Sequence, residues 1–207
     1  MDQKTFDAIF QLAKPYLLEG KPENLMHAES VAEIVKFLAD SEEQLDFLIP
    51  FALLHDTGNS IVLPEDLHYI QGKTIVENGK LFHGLAGAKI ASKILTNIDY
   101  DKEIIRDLID LIKIHDFDDI SLFKKRTWQI ARDADNLDKL NLERLKLMMK
   151  TRNKTAEEIF SLIKGHDYLF FTEKALAEFN ILQEKFFLEF NLDRKLKINA
   201  KMMMLEE

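Results

Sequence analysis

The sequence predicts an all-α protein with a single core, and three observations carry that expectation. Only seven glycines and four prolines interrupt 207 residues, too few for many turn-linked strands. Leu, Ile, Lys, Glu and Ala dominate a chain that is 46% hydrophobic, a composition that favours long helices. Apolar residues recur at steps of three and four, the spacing that places them on one helix face. A chain of 207 residues can bury one sizeable core and is short for several domains, so residues 1–207 are read as one domain.

The elements follow in order. Phe6, Ile9, Phe10, Ala13 and Leu17 form the first helical stripe, and Gly20, Lys21 and Pro22 end it. Residues 24–39 repeat the pattern through Val31, Ile34, Val35 and Leu38, with Glu29, Glu33 and Lys36 opposite. Ser41 and Gln44 offer a capping box for a helix from 42 to about 56. Its stripe is Leu45, Leu48, Ile49, Ala52 and Leu53. Gly58, Pro64, Gly72 and Gly79 mark 58–80 as a loop with at most one short helix, and a loop of that length often serves function. Further helices are expected at about 81–96, 101–115, 126–148, 155–164 and 168–192. Thr155 and Glu158 give the helix over 155–164 a capping box, and Gly165 ends it. The stripe Leu176, Phe179, Leu182, Phe186 and Phe190 places residues 150–207 as C-terminal helices packed on the core or on the Phe6–Phe10 helix. A homodimer contact through that stripe is the alternative.

Charge and composition narrow the function. A net charge of -8 argues against a nucleic-acid partner, which demands a basic face. There is no cysteine, hence no disulfide frame and no thiolate metal site. Neither a signal-peptide pattern nor a run of roughly 20 apolar residues appears. The expectation is a cytoplasmic protein with no membrane partner.

Six ionisable residues then fall where apolar ones belong. His27 lies four before Val31 and seven before Ile34. His55 lies seven after Leu48, and Asp56 seven after Ile49. His83 precedes Gly87 by four and Ile90 by seven, and His115 follows Leu111 by four and Leu108 by seven. Asp135 follows Ala131 by four and precedes Leu142 by seven. Taken singly, an inward histidine is usually a hydrogen-bonded core residue. Taken together, these six point at one core, and each unpaired buried charge costs several kcal/mol against a domain stability of about 5–15 kcal/mol. A shared divalent cation answers that cost, and four imidazoles with two carboxylates suit a transition metal. Adjacent residues of a regular helix diverge by about 100°, so the pair His55–Asp56 converges only at a helix end, which Gly58 is placed to supply.

These residues resemble the HD superfamily of metal-dependent phosphohydrolases, whose signature is a His, a His-Asp pair and a distal Asp. His27 in NLMHAESV, the pair in LLHDTG and Asp135 in ARDADNLD match it, over roughly residues 24–142. Two-metal members add two histidines between the pair and the last Asp, where His83 in HGLAGAKIASKIL and His115 in LIKIHDF stand. The resemblance implies an HD-like helical bundle. One ion would be held by His27, His55, Asp56 and Asp135, a second by His83 and His115, with Asp56 bridging. Fe or Mn is the expected metal, with Mg, Co, Ni or Zn as alternatives. The substrate implied is a nucleotide or other small phosphorylated metabolite, hydrolysed by a metal-bridging hydroxide whose pKa the two cations bring toward about 7. His55 and Asp56 are the expected catalytic pair, and Arg132 is the preferred phosphate contact among Lys73, Lys80, Arg132 and Lys139.

Two positions depart from the family pattern. Many members read HDxGK, and here the last position is Asn59; many carry arginine three before the first His, and here it is Asn24. The GYP signature of cyclic-di-GMP phosphodiesterases is absent, and HGLAGA is similar to the branch that hydrolyses dinucleoside tetraphosphates. A metal-retaining sensor module without turnover and a di-iron oxygenase on the same frame are the alternative functions. Of the remaining candidates, Asp138 is either a group ordering a ligand or an exposed charge. His166–Asp167 reads as a helix start, His68 as a surface residue with a gate or substrate contact as the alternative, and Asp116 and Asp118 as a solvated helix terminus, with weak binding of an extra cation as the alternative.

Overall fold

The computed structural model describes residues 1–62, 68, 71, 73–164 and 168–203. Among them nine α-helices and one two-residue strand pair are found. Helix α1 (Gln3–Glu19) opens with Asp2, whose carboxylate accepts from the Thr5 amide, and buries Ile9, Ala13 and Leu17. Helix α2 (Asn24–Leu38) turns His27, Val31 and Val35 inward. Helix α3 (Leu45–Leu54) is buried from Phe47 to Leu54 and packs against α1, α2 and the three helices that follow it. A helix apolar on every side can sit only at the centre. Its start differs from the expected capping box: Glu42–Gln44 form a 3₁₀ turn, Ser41 makes no side-chain cap, and Gln44 Oε1 accepts instead from the Asp40 amide at 2.8 Å.

Helix α4 (Ile75–Asn97) begins earlier than its glycines suggested. Thr74 and Glu77 form a reciprocal capping box, and Gly79 lies inside the helix. Helix α5 (Lys102–Ile114) is capped by Asp101, which accepts from the Glu103 and Ile104 amides, and packs along α4. The single helix expected over 126–148 is two: α6 (Arg126–Asp138) and α7 (Leu142–Arg152). Asn141 breaks it, its side-chain oxygen accepting from the Glu143 and Arg144 amides and so starting a second helix. Helix α8 (Ala156–Lys164) carries the expected Thr155–Glu158 box.

The helix expected from 168 starts later. Leu169–Phe170 form β1, which pairs in parallel with β2 (Lys201–Met202), and α9 (Glu173–Phe190) follows behind a Thr172 cap. Phe179 and Phe186 are buried against Tyr168, Phe170 and Phe160 rather than against the Phe6–Phe10 pair of α1, so the aromatic stripe is covered by α8 and β1. Asp133 on α6 ties this segment to the rest: its carboxylate accepts from the Phe171 and Thr172 amides and the Thr172 hydroxyl at 2.8–2.9 Å. No helix among the described residues is long and apolar enough to cross a membrane.

Candidate metal centre

The helices α2 to α6 deliver the six residues to one place. His27 sits in the first turn of α2, His83 within α4 and Asp135 within α6. His55 and His115 are the residues that terminate α3 and α5. At the end of α3 the backbone leaves helical geometry at Asp56 (φ -98°, ψ 2°), and the Thr57 hydroxyl donates to the freed Leu54 carbonyl at 2.7 Å. Neighbouring side chains that a continuing helix would splay apart therefore both enter the core. Gly58 does not end the helix as a left-handed cap. Its contribution is closeness to α4, because a Cβ there would lie 1.9 Å from the His83 carbonyl oxygen and 2.5 Å from the Gly87 nitrogen.

Two groups of donor atoms result. In the first, His27 Nε2 lies 2.9 Å from His55 Nε2, 3.3 Å from Asp135 Oδ1 and 3.7 Å from Asp56 Oδ2. In the second, His83 Nε2 lies 3.2 Å from His115 Nε2, and Asp56 Oδ1 is 3.7 Å and 3.8 Å from those two nitrogens. Asp56 turns one oxygen toward each group. Ligands bound at about 2.0–2.2 Å stand roughly 3.0–3.6 Å apart around an octahedral or tetrahedral ion, so these separations match the edges of coordination polyhedra.

The imidazole tautomers point the same way. His55 Nδ1–H donates to the Phe51 and Ala52 carbonyls at 3.2 Å, His83 Nδ1–H to Gly79 at 2.9 Å, and His115 Nδ1–H to Ile112 at 2.7 Å. A carbonyl only accepts, so the proton of each neutral ring is on Nδ1 and the Nε2 lone pairs face one another. Between two neutral rings, facing lone pairs at about 3 Å repel, and either a proton on one ring or a cation between the two removes the repulsion. His27 is held differently: its Nδ1–H donates to Asp138 Oδ2 at 2.6 Å, the carboxylate–histidine arrangement that orients and strengthens a metal ligand. Arg144 Nη1 donates to the same oxygen at 2.6 Å. The donor set thus fits divalent metal ions.

Burial and close packing set these groups against one another electrostatically. Burial and the Arg144 charge both oppose protonation of His27, yet the Asp138 charge and hydrogen bonds to Asp135 and Asp138 raise its pKa to about 9. Burial brings His55 down to about 4. Burial works against ionisation of Asp56 too, but the surrounding imidazoles, His55 foremost, hold it well below the usual carboxylate range. The proton held on His27 supplies positive charge where a cation would stand, and an ion binding there displaces it.

Other candidates divide. Arg132 lies at the edge of the centre, donating to the His115 carbonyl, 4.0 Å from Asp135, with its guanidinium over Phe123. Lys139 is partly buried beside it and donates to Asn136 Oδ1. Lys80 is engaged by Asp118 at 2.9 Å, while Lys73 and His68 are exposed. His166 and Asp167 lie outside the described residues. Asp138, which periodicity left undecided, is fully buried behind His27. Its signal was the spacing DADNLD, one turn beyond Asp135. Asp116, read as solvated, instead points its Oδ2 to within 3.6 Å of His83 Nε2.

Comparison with curated proteins and with solved structures finds no match. The profile of the HD domain family matches residues 24–143, more than half of the chain and the whole span from His27 to Asp135. The chain therefore belongs to the HD domain family, which marks the superfamily of metal-dependent phosphohydrolases.

Proposed function

We propose that this protein is a metal-dependent phosphohydrolase acting on a phosphate ester or anhydride of a nucleotide or other small phosphorylated metabolite. The observation that carries the reading is Asp56, whose two oxygens face two separate imidazole pairs. Two cations bound there would acidify a shared water and offset charge on the phosphoryl oxygens. The chain's own residues supply the rest. His27, His55, Asp56 and Asp135 would hold one ion, and His83, His115 and Asp56 the other. Asp138 fixes the His27 ring, and the helix ends fix His55 and His115. Arg132 makes a single hydrogen bond among the described residues, to the His115 carbonyl, which leaves guanidinium donors to receive a phosphate. Lys139 adds a second positive charge on the same side.

One observation favours a second reading, a metal-containing sensor that binds a phosphorylated ligand without turnover. Where relatives carry arginine and lysine, Asn24 and Asn59 sit together beside Gly20, and a Cβ on Gly20 would lie 2.6 Å from Asn24 Nδ2 and 3.4 Å from Asn59 Cβ. Amides replace cations on the side where phosphate charge would be met. Metal analysis, then a screen of nucleotides and generic phosphate esters with Mn²⁺, Fe²⁺, Co²⁺ or Mg²⁺, separates the two. Phosphate release that disappears in His55→Ala supports the hydrolase; tight binding without release supports the sensor. Oxygen uptake with substrate would indicate a di-iron oxygenase, and protein that takes up no divalent ion ends all three.

A further inference from the structure

The chain contains a second His-Asp pair built like the first. His55 terminates α3 and His115 terminates α5, each donating its Nδ1–H back to a carbonyl of its own helix. Each is followed by an aspartate that the broken helix turns inward. Asp56 reaches His115 Nε2 at 3.8 Å from the first pair, and Asp116 reaches His83 Nε2 at 3.6 Å from the second. We propose that Asp116, which faces this group from the His83 side, joins Asp56, His83 and His115 as a fourth protein ligand when a divalent cation binds there, so that two imidazoles and two carboxylates hold the ion. This rests on the metal-centre reading above.

Its neighbours show why Asp116 stands apart from an ordinary acidic helix terminus. Asp118 accepts from Lys80 at 2.9 and 3.0 Å, and Asp119 accepts from the Ser121 amide and hydroxyl. Asp116 makes no hydrogen bond among the described residues, and its carboxylate faces His83 Nε2 at 3.6 Å. That nitrogen is a lone pair in the neutral ring, because Nδ1–H is committed to the Gly79 carbonyl. A carboxylate facing a lone pair is repelled; a cation between them reverses the sign. The side chain is 35% exposed, so it lies on the solvent side of the group.

The fourth ligand narrows the metal. Four protein donors fill a tetrahedral ion and leave no position for substrate. An ion that also binds substrate here must take five or six ligands, which favours Mn²⁺, Fe²⁺, Co²⁺ or Mg²⁺ over tetrahedral Zn²⁺.

The test is calorimetric Mn²⁺ titration of chelator-stripped protein, comparing wild type with Asp116→Asn and, as control, Asp118→Asn. Wild type is expected to bind one ion per donor group, two in all. Asp116→Asn should weaken one of them roughly tenfold or more, leaving the other and the Asp118→Asn protein unchanged. A variant retaining both affinities overturns the proposal. Wild type binding a single ion overturns it while sparing the first group, and wild type binding none overturns the hydrolase reading as well. Asp116→Cys guards against misfolding, because the natural chain has no cysteine. A thiolate at a ligand position should trade Mn²⁺ affinity for Cd²⁺ and produce sulfur–cadmium absorption. Absence of that band in a folded variant likewise overturns the assignment.

Discussion

The two halves of the centre present the same atom, imidazole Nε2, by different means. In the first, His55 leans on backbone carbonyls, but Asp138 accepts from His27 Nδ1 and is itself held by Arg144. In the second, His83 and His115 lean on backbone carbonyls, and the wall includes the half-exposed Asp116. A carboxylate behind an imidazole raises its basicity, which a neutral carbonyl does far less. If each half holds an ion, the first should retain it more tightly and the second should exchange it more easily. The order of metal affinities should follow, and the variants below probe it.

The largest effect belongs to the residue both halves share. Asp56→Asn removes charge from the oxygens facing His27 on one side and His83 and His115 on the other. Phosphate release should fall by roughly 1,000-fold or more, the scale of losing a principal electrostatic contributor, and both calorimetric affinities should drop together. Weakening of one ion alone would show that Asp56 does not bridge. Gly58→Ala strikes the joint between the halves. Its methyl would meet the His83 carbonyl oxygen at 1.9 Å, and backbone cannot yield as a side chain can. A loss of about 3 kcal/mol or more is expected in urea unfolding, at or beyond the upper end of ordinary overpacking. A neutral substitution would mean α3 and α4 are not locked at this point.

That joint also marks what the sequence made legible. Five helices and six inward polar residues were readable because periodicity holds along each helix, and His27, His55 and His83 extend apolar stripes. Periodicity ends where a helix ends, which is why Asp116 looked solvated while it faces His83. Leu140 and Leu142 continue helical spacing across a break that one side chain, Asn141, imposes by capping α7. The early start of α4 was present as Thr74 and Glu77, and the glycine at 79 outweighed it wrongly, since one helical glycine costs only about 1 kcal/mol. The β1–β2 pair joins residues 32 positions apart through two backbone steps, too short to leave an alternation.

Asp138→Asn tests the first half alone. The amide keeps the shape and loses the charge behind His27, whose pKa of about 9 Asp138 helps to sustain. Affinity for the tighter ion should fall by about 10–100-fold, or roughly 1.4–2.7 kcal/mol, with the weaker ion unaffected. Equal loss at both ions would erase the distinction between the halves.

The smallest effect lies away from both. Arg126 at the start of α6 donates through Nε and Nη2 to Asp40, just past the end of α2, at 2.8 and 3.1 Å. Both side chains are about half exposed, at 47% and 48%, so Asp40→Asn should cost under about 1 kcal/mol. The hydrogen bond from Arg126 holds the Asp40 pKa below its ordinary value. A depressed carboxylate stabilises the fold above its unfolded pKa and stops doing so as pH falls through the folded one. The difference between wild type and variant in urea unfolding should therefore be present at neutral pH and vanish in acid. Metal affinities should be identical in the two proteins, because His27 lies in the first turn of α2 and Asp40 beyond its last. If Asp40→Asn instead shifted one affinity against the other, the contrast between the halves would reflect how α2 and α6 are set against each other rather than which atoms stand behind each imidazole.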